Sequence, residues 1–149
     1  MEVRKYHTGD YDFIERIYNA SRLDEFYAEQ SQLVLEPWSD DEYVQSILEE
    51  SEIYVCENET VIGFCGYLNK HINWLFVAPE YRGSGVASRL LSVVLPLVGE
   101  GATLTVGQSN ERANNLYSKF GFIVKRKFVV NYQSKELAVS TLVLEGKCA

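Results

Sequence analysis

One run limits what this chain can fold into more than any other: Trp74-Leu75-Phe76-Val77-Ala78-Pro79-Glu80-Tyr81-Arg82-Gly83-Ser84-Gly85-Val86-Ala87. Its first part is apolar and reads as a strand, and the apolar spacing from Val86 to about Leu97 reads as a helix. Between them, glycines at 83 and 85 let the backbone turn sharply and approach a ligand with no Cβ in the way. The free N–H groups at a helix start, together with the helix dipole, make an anion site, and a pyrophosphate is its natural guest. Two familiar phosphate loops do not fit. A P-loop needs Gly-Lys-Ser/Thr at the helix start, and no lysine is present here. A dinucleotide fold wants its third glycine or alanine at 88, where this chain has Ser88, and wants the glycines directly after the strand, where Pro79-Glu80-Tyr81 intervene.

About two dozen residues further on comes Asn110-Glu111-Arg112-Ala113-Asn114-Asn115-Leu116-Tyr117-Ser118-Lys119-Phe120-Gly121-Phe122. Helical spacing puts Asn110, Asn114 and Tyr117 along one side, and Ala113, Leu116 and Phe120 on a packing side. Asn110 is a natural cap, and Gly121 suits a left-handed helix stop. By itself this pattern also describes an ordinary amphipathic helix with a half-buried tyrosine.

The rest of the chain supplies a frame for these two motifs. Val3 to His7 reads as a first strand, and Asp10 caps a helix through Phe13, Ile14, Ile17, Tyr18 and Ser21. Glu36-Pro37-Trp38 interrupts the pattern, and Ser39 with Glu42 forms a capping box for a second helix. Ile53 to Cys56 and Val61 to Leu68 read as a hairpin, followed by a strand from His71 to Val77. Pro96 is expected to kink or stop the third helix. Ala102 to Gly107, Phe122 to Tyr132 and Leu137 to Leu144 complete seven strands, the last two joined at Gln133-Ser134-Lys135. The order β-α-α-β-β-β-α-β-α-β-β predicts a single α/β (α+β) domain over 1–149, with a mixed, largely antiparallel sheet and four helices on its faces.

Charge and cysteine content narrow the function. The net charge is −7, with Lys and Arg grouped only at Lys125-Arg126-Lys127, so no nucleic-acid partner is expected. No apolar stretch is long enough to span a membrane, and Met1-Glu2-Val3-Arg4-Lys5-Tyr6 lacks a signal-like apolar core. Cys56, Cys65 and Cys148 have no metal-ligand spacing, and no metal is expected. With a hairpin turn at Asn58-Glu59, Cys56 faces Val61 and not Cys65. The expectation is reduced, buried thiols in a cytoplasmic protein.

Taken together, Arg82-x-x-Gly85-x-Ala87 and Asn110-x-x-Ala113-x-x-Leu116-Tyr117-x-x-x-Gly121-Phe122 resemble the GNAT superfamily of N-acetyltransferases, specifically over Leu75 to Phe122. The resemblance implies that the strand before the loop splays from its neighbour and that acetyl-CoA, as co-substrate, slots into the gap. The backbone of Leu75 and Val77 would pair with the pantetheine arm. N–H groups of Arg82, Gly83, Ser84, Gly85, Val86 and Ala87 would hold the pyrophosphate, Asn110 and Asn114 would contact the cofactor, and Tyr117 would stand beside its sulfur. Acyl transfer then needs an oxyanion donor, the N–H of Phe76 or Val77, and a proton for the departing thiolate, from Tyr117.

The sequence departs from the family where many members place a glutamate: Asn69-Lys70-His71-Ile72-Asn73-Trp74 holds no carboxylate. His71 is the titratable candidate for a general base, set against an ordinary residue at a strand start, against Tyr54, Tyr67 and Glu36, and against a water chain. For the acceptor, a small-molecule amine or a peptide or protein amine, the first two helices and the strands after Phe122 offer Tyr27, Trp38, Tyr43, Tyr67 and Tyr132 with Asp24, Glu25, Glu29 and Glu36. A homodimer, if one forms, is expected to pair through the closing hairpin around Val129 to Val143. The rival readings are a non-catalytic acetyl-CoA-binding regulatory module of the same fold, an enzyme using another acyl donor, and a ligand-free interaction domain.

Overall fold

The computed structural model describes residues 1–21, 38–132 and 135–145. Seven strands form one sheet in the order β1-β2-β3-β4-β5-β7-β6. In chain order these are β1 (Glu2–Lys5), α1 (Tyr11–Ser21), α2 (Glu42–Glu50), β2 (Glu52–Asn58), β3 (Thr60–Leu68), β4 (His71–Val77), α3 (Val86–Val98), β5 (Thr103–Gly107), α4 (Glu111–Lys119), β6 (Phe122–Tyr132) and β7 (Lys135–Leu144). The element order and the mixed, mostly antiparallel sheet are those expected from the sequence, since turn residues and changes of apolar period mark most junctions.

Two apolar layers cover the sheet. On one face Ile14, Ile17, Tyr18, Trp38 and Val44 pack against Phe64, Trp74 and Phe76. On the other, Val86, Leu90, Leu91, Val94 and Val98 of α3 join Ile72, Leu104, Val106, Tyr117 and Phe122. Leu90 and Leu91 are fully buried, so truncating either to Ala is worth about 2–5 kcal/mol of stability. Gly63 lets α3 come close to the sheet, because a Cβ there would stand 2.7 Å from Cγ1 of Val86. That contact fixes the level at which α3 starts.

Several local expectations need correction. Ser39 does not cap α2. Trp38–Asp40 form a 3-10 turn, and Asp41 caps the helix by accepting from the Val44 N–H. Trp38 is a core residue, fully buried and 5.0 Å from the ring of Trp74, so it does not line a pocket. Pro96 sits inside α3 without stopping it, and Gly99 closes the helix at φ 86. The β2–β3 register sets Cys56 opposite Gly63, not Val61, because Asn58 pairs with Thr60 across a turn at Glu59 and Ile62 is an extra residue on β3 against the Cys56–Glu57 step. Cys65 faces Tyr54, so the two thiols are buried, free and apart. Among the described residues no helix is long and apolar enough to cross a membrane. Tyr27, Asp24, Glu25, Glu29, Glu36 and Cys148 lie outside the described residues.

Candidate active site

The site begins where β4 and β5 part. They pair in parallel only at His71–Thr103 and Ile72–Leu104. Beyond this, Leu75 to Val77 have no strand partner on the β5 side among the described residues, while on the other side β4 stays paired to β3 through Val77. The ladder decides which backbone groups face the gap. Ala78 donates its N–H to the Ile62 carbonyl at 2.8 Å. In an antiparallel ladder, successive pairs point alternately toward and away from the partner. Val77 and Leu75, opposite Gly63 and Cys65, therefore turn N–H and C=O into the gap, whereas Phe76 turns its own toward Phe64. Of the two oxyanion donors considered from sequence, only Val77 faces the gap.

A bulge keeps the two faces in order. Gly66 opposes Trp74 but Tyr67 opposes Ile72, so Asn73 is the extra residue. It lets Ile72, Leu75 and Val77 share the α3 face while Trp74 and Phe76 lie on the α1 face.

A cavity of about 440 Å³ fills the gap between β4, α3 and α4. Leu75, Phe76 and Val77 form one wall, Arg82, Gly83, Gly85, Val86 and Ala87 a second, and Asn110 and Tyr117 a third. Gly83 and Gly85 have φ of 80 and 84, a region favourable only to glycine, and a Cβ on either would meet no protein atom within 4 Å. Gly85 is the N-cap of α3 and supplies no side-chain cap. The first N–H groups of α3 thus face open space, as an anion cradle requires. Arg82, Arg112 and Lys119 also line the cavity and no described lining residue is acidic, in a chain of net charge −7. These features fit a diphosphate carried on an extended amide-bearing arm.

The structure separates the remaining candidates. Tyr117 is buried at 8 % exposure, edge-on to Phe122 with centroids 5.7 Å apart. It packs with Ala113 and Leu116 in the core and also lines the cavity, so it is not on a separate helix side as the spacing suggested. Asn110 caps α4, its side chain accepting from the Ala113 N–H at 3.3 Å, and still lines the cavity. Asn114 does not line it. The Asn114 amide donates to the carbonyls of Gly107 (3.1 Å) and Asn110 (2.8 Å), and the residue lines a separate cavity with Gln108, Lys127 and Ser140. Ser84 is exposed and is not part of the lining.

His71 is not in the lining either. It stands at the closed end of the parting strands, its Nδ1 2.8 Å from Oγ1 of Thr103. Burial holds its pKa below the usual histidine value, so it is neutral at pH 7.

The sequence reading missed Ser21, Arg112 and Lys119 in the lining. Arg112 and Lys119 carried a usable signal, since positions seven apart share a helix side with the glycine loop opposite. Ser21 carried none, because its place depends on how α1 crosses β4.

Comparison with known proteins agrees with this geometry. Residues 49–124, half of the chain, match the family model described as an acetyltransferase (GNAT) domain. The peptidyl-lysine N-acetyltransferase YjaB of Escherichia coli K12 is 32% identical over 71% of this chain and 73% of its own. The solution structure of apo YjaB from Escherichia coli superposes with a TM-score of 0.72 at 26% identity, covering 98% of both chains. A Salmonella typhimurium acetyltransferase, yncA, solved with its cofactor acetyl-CoA, has a TM-score of 0.74 at 17% identity, over 100% of this chain and 96% of that one, a likeness of fold. The parted strands, the uncapped α3 start and these matches together place the chain in the GNAT family of acetyl-CoA-dependent N-acetyltransferases.

Proposed function

We propose that the protein transfers an acetyl group from acetyl-CoA directly to a primary amine within a ternary complex, and that a lysine side-chain amine in a peptide or protein is the first acceptor to try. The observation that carries this reading is one cavity joining three parts: the uncapped α3 start, the outward N–H of Val77 and the Tyr117 side chain. The acceptor class is suggested by the relative named for peptidyl-lysine acetylation.

Acetyl-CoA supplies an activated thioester. The N–H groups from Gly85 onward hold its pyrophosphate, and the edge of Leu75 and Val77 aligns the pantetheine. The amine nitrogen forms a C–N bond at the thioester carbon, and the Val77 N–H donates to the oxygen as negative charge gathers there. Such a donor is worth about 3–4 kcal/mol. The C–S bond then breaks, Tyr117 gives its proton to the departing sulfur, and solvent restores the phenol. No described lining residue is a carboxylate or imidazole, and the proton lost by the amine passes to water. Holding both substrates in one rigid cleft removes much of the entropic barrier.

In this reading residues 1–149 act as a single domain, in a compartment that keeps thiols reduced, such as the cytoplasm. The buried, unpaired Cys56 and Cys65 support that location. Tyr117→Phe is the test. Turnover of a lysine peptide should fall roughly a hundredfold to ten-thousandfold, while the Kd for acetyl-CoA by calorimetry stays within a few-fold. An unchanged rate would remove Tyr117 from the acid role.

A further inference from the structure

The two layers flanking the sheet meet the cleft unequally. Leu75, Val77, α3 and α4 belong to one face, and α1 belongs to the other, packed on Trp74 and Phe76. Among the described residues, only one side chain from the α1 and α2 layer lines the cavity: Ser21, the last residue of α1. It reaches through at the gap that opens because β5 leaves β4. Ser21 is buried at 3 % exposure, and its hydroxyl donates to the Val77 carbonyl at 3.2 Å.

A serine hydroxyl has one hydrogen to give and two lone pairs to receive with. With its hydrogen on Val77, Ser21 offers the cavity acceptor capacity from the layer opposite α3 and α4. Beside it, Val77 offers the outward N–H. One point of the cleft thus carries a donor suited to a developing oxyanion and an acceptor suited to an N–H. A neutral amine attacks with its lone pair and keeps its N–H bonds, so accepting one of them orients the lone pair toward the thioester carbon.

We infer that Ser21 receives an N–H of the acceptor amine and aims its lone pair at the thioester, a specificity contact rather than a purely structural tie. The inference rests on the proposed acetyl transfer to an amine. The neighbouring explanation is that Ser21 only fastens α1 to the end of β4. The two differ in which substrate feels the loss of the hydroxyl.

The experiment compares the intact wild-type chain, Ser21→Ala and Ser21→Thr. Three measurements are made: kinetics with a lysine peptide and acetyl-CoA, calorimetric binding of acetyl-CoA, and binding of a conjugate joining CoA to a lysine peptide. In Ser21→Ala, kcat/KM for the peptide and affinity for the conjugate should each fall about tenfold, acetyl-CoA affinity should stay within about threefold, and Ser21→Thr should recover most of the loss. Equal losses for acetyl-CoA and for the conjugate, or no loss at all, would overturn the inference. If wild type acetylates no amine, the proposed function fails, and the ratio of conjugate to acetyl-CoA binding still decides the role of Ser21.

Discussion

The two helices that border the cleft begin in opposite ways. At the start of α4, Asn110 folds its side chain over the Ala113 N–H and closes the helix end itself. At the start of α3, Gly85 sits at φ 84 with no side chain to do so. Both ends carry the same surplus of N–H groups and the same positive pole. The difference lies in what satisfies them: one end is complete within the chain, and the other has no side-chain cap, which leaves it open to a ligand in the proposed reading. A third start, before α1, is closed more firmly still. His7 and Asp10 cap each other's backbone, and Asp10 also takes two bonds from Arg4, both at 2.9 Å.

The sharpest way to break this contrast is to give α3 the kind of cap α4 has. Gly85→Asp places a carboxylate over the open N–H groups. We expect acetyl-CoA affinity to fall at least about a hundredfold, through occupied donors and like charge, while the melting temperature moves by only a few degrees. Retained affinity would show that the pyrophosphate is held elsewhere. Opening the closed start before α1 should cost stability instead. Asp10→Ala removes the buried partner of Arg4 and should lower stability by about 2–3 kcal/mol, read by urea unfolding.

The same carboxylate sets an acid limit. Hydrogen bonding to Arg4 holds Asp10 below its ordinary pKa, so its contribution is complete above the unfolded value near 4 and is lost as pH falls through the folded one. Asp10→Asn should flatten the stability profile below about pH 4; an unchanged acid slope would place the sensitive group elsewhere. A smaller effect is expected at α4, where Asn110→Ala loses one cap worth about 1 kcal/mol. Acetyl-CoA binding should drop only modestly there, and a loss matching that of Gly85→Asp would mean that both starts serve the ligand. Smallest is a null change in reactivity. Burial pushes the Cys65 thiol up to about 12, so native protein in a Cys148→Ser background should resist thiol labelling until it unfolds.

The contrast between helix starts also explains what could be read in advance. Gly83, Gly85 and Gly121 announce their backbone angles through residue type alone, and the structure gives 80, 84 and 97 for their φ values. Strand and helix periods were equally legible, because each element buries one face. Asn114 was misplaced because an amide that could touch a ligand also bonds carbonyls of its own chain, and composition cannot tell these apart. Trp38 suited a pocket by chemistry, yet three-dimensional crowding by Tyr18, Phe64 and Trp74 made it core. His71 and Ser21 were assigned or missed for one reason. Their distance from the cleft depends on where β4 and β5 separate, and separation leaves no mark on individual residue types.

One inserted residue in β4 has a consequence for how this protein can change. Asn73 is a residue the ladder absorbs as a bulge, so that the strand on either side keeps the phase it would have without it. Substituting it should be tolerated. Deleting it would leave a regular ladder, with Gly66 still opposite Trp74 and Tyr67 still opposite Ile72, and every side chain of β4 would keep the layer it faces now. Lineages of this fold are therefore free to gain or lose one residue at this point of β4, and confined in length between Trp74 and Val77, where a single step exchanges the two faces.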